Sequence, residues 1–255
     1  MNKIHILKYG DWFAPGATVY DHAYGIHDPQ IICMTGYLVQ TPKEWVMVDT
    51  GIDNIDQTYT EEDLKNWNHL GKSSNTEDHL NKLGIGYSDI STVLVTHLHF
   101  DHYYNAPKYE KAQFYINKKE WEYVMDPANE CKCPASGFPQ EQLKWLANEA
   151  FDRVNLVDNV FEYDKGITMN HTGGHTPGHM VVSIETDQGK AIVVGDAIYL
   201  YEHIEKNIPL GYRTNLDDLM EGYRWLRDQD AILLPAHDYK VYEKFPTGII
   251  GTSLN

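Results

Sequence analysis

The chain is 255 residues long, 42% hydrophobic and 12% aromatic, which suits a single folded domain over residues 1–255. Its formal charge of −16 argues against a nucleic-acid partner, whose phosphates require basic patches, and against an anionic membrane surface. No stretch approaches the ~18 apolar residues of a membrane span, and Met1–Gly10 has no long apolar h-region, so no signal peptide is expected.

In chain order, the N-terminal residues read as a first strand, and Gly10–Pro29 as a loop rich in glycine, aromatic and histidine residues. Strands are expected over Ile31–Val39 and Glu44–Val48, the second ending at Asp49. A polar, aromatic loop follows over Ile52–Asn75. A helix is expected over Thr76–Leu83, stopped by Gly84, and a buried strand over Thr92–Thr96. Beyond lie a strand over Gln113–Ile116, helices over Lys118–Met125 and Gln140–Glu149, and strands over Ile167–Asn170, Val181–Glu185 and Ala191–Val194. A helix over Asn215–Asp228 carries one apolar stripe, read as core packing, and a strand over Ile232–Leu234 closes the pattern. The cysteines Cys33, Cys131 and Cys133 are odd in number and include a C-x-C pair, a poor disulfide framework. Free thiols in a reducing compartment, the cytoplasm, are expected.

Chemistry concentrates where apolar strands end. The run His97-Leu98-His99-Phe100-Asp101-His102 follows the strand ending at Thr96. Spaced two apart, His97 and His99 point to one side of an extended backbone, while Asp101 and His102 fall where the chain turns. The loop Gly174-His175-Thr176-Pro177-Gly178-His179 holds two further histidines. Asp196 ends one later strand and His237 another. Together His97, His99, Asp101, His102, His175, Asp196 and His237 form a dinuclear metal-ligand set. Imidazole with carboxylate suits zinc first, with iron, cobalt or manganese as alternatives. Asp49 reads as an acceptor for the free N–H of a ligand histidine rather than as a ligand, and His179 likewise as a supporting residue. Histidines 5, 22, 27, 69, 79, 171 and 203 read as surface or loop residues, with His22 and His27 as candidates for a pocket wall.

The ordered pieces Val48-Asp-Thr-Gly51, Thr96-His-Leu-His-Phe-Asp-His102, Gly174-His-Thr-Pro-Gly-His179, Gly195-Asp-Ala197 and Ala236-His-Asp238 resemble the metallo-β-lactamase superfamily, and within it the quorum-quenching N-acyl homoserine lactonases. The resemblance covers roughly residues 30–240. It implies an αββα four-layer sandwich, two packed sheets with helices outside. It also implies a split of ligands: His97, His99 and His175 for one divalent ion, Asp101, His102 and His237 for the other, and Asp196 bridging. Two such ions activate a shared water, so the implied reaction is hydrolytic opening of a lactone ring by a metal-bridging hydroxide. Tyr199 is implied as a hydrogen-bond donor to the substrate carbonyl, and Asp101 as a proton shuttle as well as a ligand. The loops Gly10–Pro29 and Ile52–Asn75 are implied as substrate walls, with a homodimer contact as their competing role.

Two departures stand out. Tyr103-Tyr104 replace the small residues usual after His102, and are expected to narrow or reshape the pocket beside the metals. Gly174 replaces a common proline. The alternatives to an acyl homoserine lactone are another lactone (pyridoxolactonase-like), an ester, a thioester (glyoxalase II-like), or a non-catalytic metal-binding module. β-Lactam hydrolysis fits the ligand set less well, and phosphodiester cleavage fits the acidity poorly. A di-iron redox protein would need a flavin domain, for which the chain has no length.

Overall fold

The structure, a computed structural model, describes residues 1–54, 74–126, 128 and 137–252. Alternation along its strands decides which face each side chain takes. The first strand, β1 (Lys3–Ala14), sends Ile4 and Ile6 to one side and Leu7 and Tyr9 to the other. It pairs antiparallel with β2 (Gln30–Gln40), and the register slips between Lys8 and Gly10. That slip is why the strand outruns the expected boundary at Gly10. The glycine marks an irregularity within a paired strand, not its end. The chain between these strands carries the short helix α1 (Gly16–Val19).

A seven-stranded sheet continues through β3 (Trp45–Val48), β4 (Ile90–Leu94), β5 (Gln113–Asn117) and β6 (Val154–Val157). Here β2 and β3 pair antiparallel, whereas β3, β4, β5 and β6 run parallel to one another. A second, five-stranded sheet contains β7 (Val160–Asp164), β8 (Ile167–His171), β9 (Met180–Thr186), β10 (Gly189–Gly195) and β11 (Ile232–Pro235), with β10 and β11 parallel. The short β12 (Ile249–Ile250) pairs with β1 at the edge of the larger sheet. Three strands had no sequence signal strong enough to find them: β6, β7 and β12 are short and lie at sheet edges, where half-exposed positions blur the apolar pattern.

Val46, Val48 and Leu94 of the first sheet meet Met180, Val182, Ile184, Ala191 and Val193 of the second in the central core. On the outer face of the first sheet, Met47, Val93 and Phe114 pack under α2 (Thr76–Lys82), α4 (Lys118–Met125) and α5 (Gln140–Asn148). On the outer face of the second, Val181, Ile192 and Val194 pack under Leu219, Tyr223 and Leu226 of α7 (Leu216–Arg227). The layers are therefore helix, sheet, sheet, helix, as expected. Between these lie the short helices α3 (Phe100–Tyr103) and α6 (Tyr201–Lys206), and α8 (Lys240–Lys244) follows β11. Among the described residues no helix is long and apolar enough to cross a membrane.

The topology puts chemistry at one edge. Asp49 follows β3, His97 to His102 follow β4, Asp196 follows β10 and His237 follows β11. Each sheet thus presents the carboxyl ends of a parallel strand pair to the same place. The turn from β8 to β9 adds His175 from the side.

Candidate metal centre

The structure brings all seven sequence-predicted ligand-type residues into two adjoining groups. His97, His99, His175 and Asp196 form one, and Asp101, His102, His237 and Asp196 the other. Asp196 is common to both and splits its oxygens between them. Its Oδ2 lies 3.6 Å from His97 Nε2 and 3.2 Å from His175 Nε2. Its Oδ1 lies 3.1 Å from His102 Nε2 and 3.2 Å from His237 Nε2. Asp101 Oδ2 closes the second group, 3.5 Å from His102 Nε2 and 3.4 Å from His237 Nε2.

Four of the five rings are oriented from behind. The Nδ1–H of His102 donates to Asp49 Oδ2 at 2.7 Å, that of His237 to the Cys33 carbonyl at 2.8 Å, and that of His175 to the Tyr212 carbonyl at 2.9 Å. His97 Nδ1 meets Thr96 Oγ1 at 3.1 Å, and that hydroxyl donates to Asp49 Oδ2 at 2.7 Å. These bonds place the proton on Nδ1 and leave the Nε2 lone pair facing inward, the tautomer a metal ligand needs. His99 alone presents Nδ1 to the site, 2.9 Å from His175 Nε2.

Asp49 has φ of 60° in the left-handed region, unusual for a non-glycine residue. The cost, roughly 1–3 kcal/mol, is offset because this backbone aims the carboxylate at His102 and at the Thr96 N–H, 2.7 Å away. His179 has the supporting role expected of it. Its Nε2 accepts the Asp196 N–H at 3.0 Å, and its Nδ1 meets Thr172 Oγ1 at 2.8 Å. Gly195 is required between them: a Cβ there would stand 2.9 Å from Thr96 Oγ1 and 3.0 Å from His179 Nε2.

Charge follows the geometry. Burial, reinforced by neighbouring imidazoles, holds His97 and His99 well below the usual histidine range. Burial also opposes a proton on His102, but Asp196, Asp101 and Asp49 outweigh it and lift that ring well above the range. Burial penalises the Asp196 charge, and His102, His237 and His175 more than compensate, keeping the carboxyl well below its ordinary value. Even so, His97 Nε2, Asp196 Oδ1 and His237 Nε2 are buried without a hydrogen-bond partner. Orphaned polar atoms of this kind, converging within one cluster, fit a pair of bound cations.

Tyr199 is buried against His237 and His175, with ring centroids 4.7 and 5.8 Å apart. Burial, with the Asp196 and Asp101 carboxylates nearby, keeps its hydroxyl protonated far above neutral pH.

The two tyrosines after His102 do not act as a pair beside the metals. Tyr103 is fully buried under the first sheet, against Phe114, whereas Tyr104 is 46% exposed and lines a neighbouring cleft. Consecutive residues on a helical turn diverge by about 100°, so one phenol enters the core and the next leaves it. The cleft, about 820 Å³, is also lined by Ile52, Phe100, Phe138 and Lys108. Residues 55–73 of the expected wall Ile52–Asn75 lie outside the described residues, as do Cys131 and Cys133. Gly10–Pro29, the other segment expected as a wall, is in part the end of β1, and its Trp12 ring lies 6.3 Å from that of His237. His22 and His27 are exposed.

Several residues were invisible in the sequence. Phe138 packs 4.5 Å from His99, and Tyr212 lies 5.3 Å from His99 and 5.7 Å from His175, each arriving from a segment without a motif. Glu120 is buried at the start of α4, in contact with both ligand-bearing loops. His203, expected at the surface, is fully buried instead, donating from Nδ1 to the Ile208 carbonyl at 2.9 Å.

The sequence profile of the Metallo-beta-lactamase superfamily matches residues 35–238. The N-acyl homoserine lactonase AttM of Agrobacterium fabrum (strain C58 / ATCC 33970) is 27% identical over 192 residues, 70% of each chain. A solved N-acyl homoserine lactone hydrolase, with N-hexanoyl-L-homoserine bound at its catalytic metal center, superposes with a TM-score of 0.74. It is 20% identical, over 96% of this chain and 97% of that one. AidC, a dizinc quorum-quenching lactonase, superposes with a TM-score of 0.72 at 17% identity, over 100% of this chain and 91% of its own.

Proposed function

The chain belongs to the metallo-beta-lactamase superfamily, and on that premise we propose that it is a metal-dependent hydrolase that opens the ring of a lactone, an N-acyl homoserine lactone being the substrate class favoured. The observation that carries this reading is the Asp196 carboxylate, whose two oxygens face two separate sets of inward-pointing imidazoles. The curated relative AttM, which acts on N-acyl homoserine lactones, supports the substrate class.

In this reading His97, His99 and His175 would hold one divalent ion and Asp101, His102 and His237 a second, with Asp196 available to both. Zinc is the metal we favour, because an imidazole-rich set with few carboxylates suits it. Two such ions, when bound, would supply an acidified water and a Lewis acid for the carbonyl.

The remaining work falls to the protein. Tyr199 stays protonated and donates its O–H to the carbonyl oxygen as negative charge develops there. Asp101, held by contacts with His102 and His237, takes the proton released on attack and passes it to the departing ring alkoxide. Trp12, Phe138 and Tyr212 flank the imidazoles and Phe100 packs on Trp12, an aromatic surface that excludes water and receives an apolar acyl chain. The neighbouring 820 Å³ cleft has room for such a chain. A neutral substrate also suits a protein of formal charge −16.

The test is proton release from short- and long-chain acyl homoserine lactones by metal-quantified protein, with and without chelator. Chelator-sensitive ring opening supports the proposal. No turnover by protein carrying its metals sends the assignment to another lactone, an ester or a thioester.

A further inference from the structure

Glu120 occupies the third position of α4, after the N-cap residue Asn117. A glutamate there ordinarily reaches back to the N-cap N–H. Glu120 does not do so. Its side chain turns inward, is 1% exposed, and divides its oxygens between two loops. Oε1 accepts the Leu98 N–H at 3.0 Å, and Oε2 accepts the Gly178 N–H at 3.1 Å. Leu98 sits between His97 and His99. Gly178 sits between Pro177 and His179, in the loop that carries His175 and whose His179 receives the Asp196 N–H.

The approach is close enough to dictate sequence. A Cβ at Gly178 would fall 2.1 Å from the Glu120 backbone nitrogen and 2.4 Å from its Cβ. Only glycine lets the loop reach the helix. No comparable bond from Glu120 reaches the second group, whose rings are held by Asp49 and by the Cys33 carbonyl.

We propose that Glu120 is a positioning residue that ties the His97/His99 loop to the His175/His179 loop and thereby sets the geometry of the first metal subsite more strongly than that of the second, none of whose rings its bonds hold directly. The inference rests on the dinuclear reading above. A buried carboxylate that accepts two N–H groups from different loops fixes their separation, and partners behind ligands commonly govern metal affinity by 10- to 100-fold.

The experiment isolates each subsite. His237→Ala removes a ligand from the second group and His99→Ala one from the first. Zinc affinity of each metal-depleted protein is measured by competition with a chromogenic chelator, with and without Glu120→Gln. The amide keeps size and shape but points an N–H₂ at one of the two N–H groups. The expected result is zinc binding weakened roughly 10- to 100-fold in the His237→Ala background and clearly less in the His99→Ala background. Equal weakening in both backgrounds marks Glu120 as a general support of the fold and overturns the proposal, as does no weakening in either. Should the amide variant not fold, Glu120→Asp keeps the charge but is one methylene short of spanning both loops, and the same selective loss is expected. Failure of the unaltered protein to bind zinc overturns the metal reading and this proposal together. Zinc binding that is indifferent to Glu120 overturns this proposal alone.

Discussion

Asp49 Oδ2 lies 2.7 Å from His102 Nδ1 and 2.7 Å from Thr96 Oγ1, so one carboxylate restrains a ligand of each metal group, directly for His102 and through Thr96 for His97. Asp49 is 6% exposed and meets His102 on the Nδ1 side of its ring. Replacing it with alanine frees His102 to rotate and leaves the Thr96 N–H without its acceptor. Asp49→Ala is expected to lower metal affinity about 10- to 100-fold, read by chelator competition. Full wild-type affinity would remove the orienting role.

Tyr199 faces the ligand rings, and its hydroxyl is a donor across the whole neutral range. Tyr199→Phe keeps the ring and removes the O–H. Both metals should be retained, by elemental analysis, while kcat falls by on the order of 10²-fold. An unchanged kcat would remove the proposed role at the carbonyl.

Tyr103 and Tyr104 are adjacent in sequence but are expected to respond differently. Tyr103 is fully buried among core residues, so Tyr103→Ala should cost about 3–5 kcal/mol of stability, measured by denaturant unfolding. Tyr104 lines the cleft at 46% exposure, so Tyr104→Ala should leave stability nearly unchanged and alter the acyl-chain preference of KM. The reverse pattern would contradict the packing described.

His203 supplies a pH test away from the ligands. Burial, only partly opposed by its bond to the Ile208 carbonyl, lowers its pKa from 6.5 to about 4. Between those values the unfolded chain binds a proton that the folded chain refuses, so stability falls as pH falls through the window, by on the order of 3 kcal/mol in full. His203→Asn retains a donor for the carbonyl without titrating. In metal-depleted protein its stability should decline less between pH 6.5 and pH 4 than that of the wild type. Parallel declines would show that His203 is protonated when folded.

The architecture was legible where periodicity was strong. Ala191–Val194 is buried on both faces and reads as an unbroken apolar run, the half-buried Ile232–Leu234 reads the same way, and Lys118–Met125 has its expected bounds. The ligand-type residues were legible because short local spacings held most of them. Phe138, Tyr212 and Glu120 were not, because each reaches the site by tertiary packing from a segment whose local pattern is ordinary. Tyr103 was misplaced for the opposite reason: proximity in sequence to His102 suggested proximity in space, and one step of a helical turn sent it to the core. His203 shows that polarity alone is a poor guide to exposure when a backbone carbonyl is within reach.

The central claim is that hydrolysis depends on two ions held around Asp196. The direct measurement is the rate of acyl homoserine lactone ring opening as zinc is returned stepwise to metal-depleted protein, with bound metal counted at each step. The account predicts no rate without metal, a full rate near two ions per chain, and neither binding nor rate in Asp196→Asn. Ring opening by metal-free protein, or a full rate in Asp196→Asn, would contradict it.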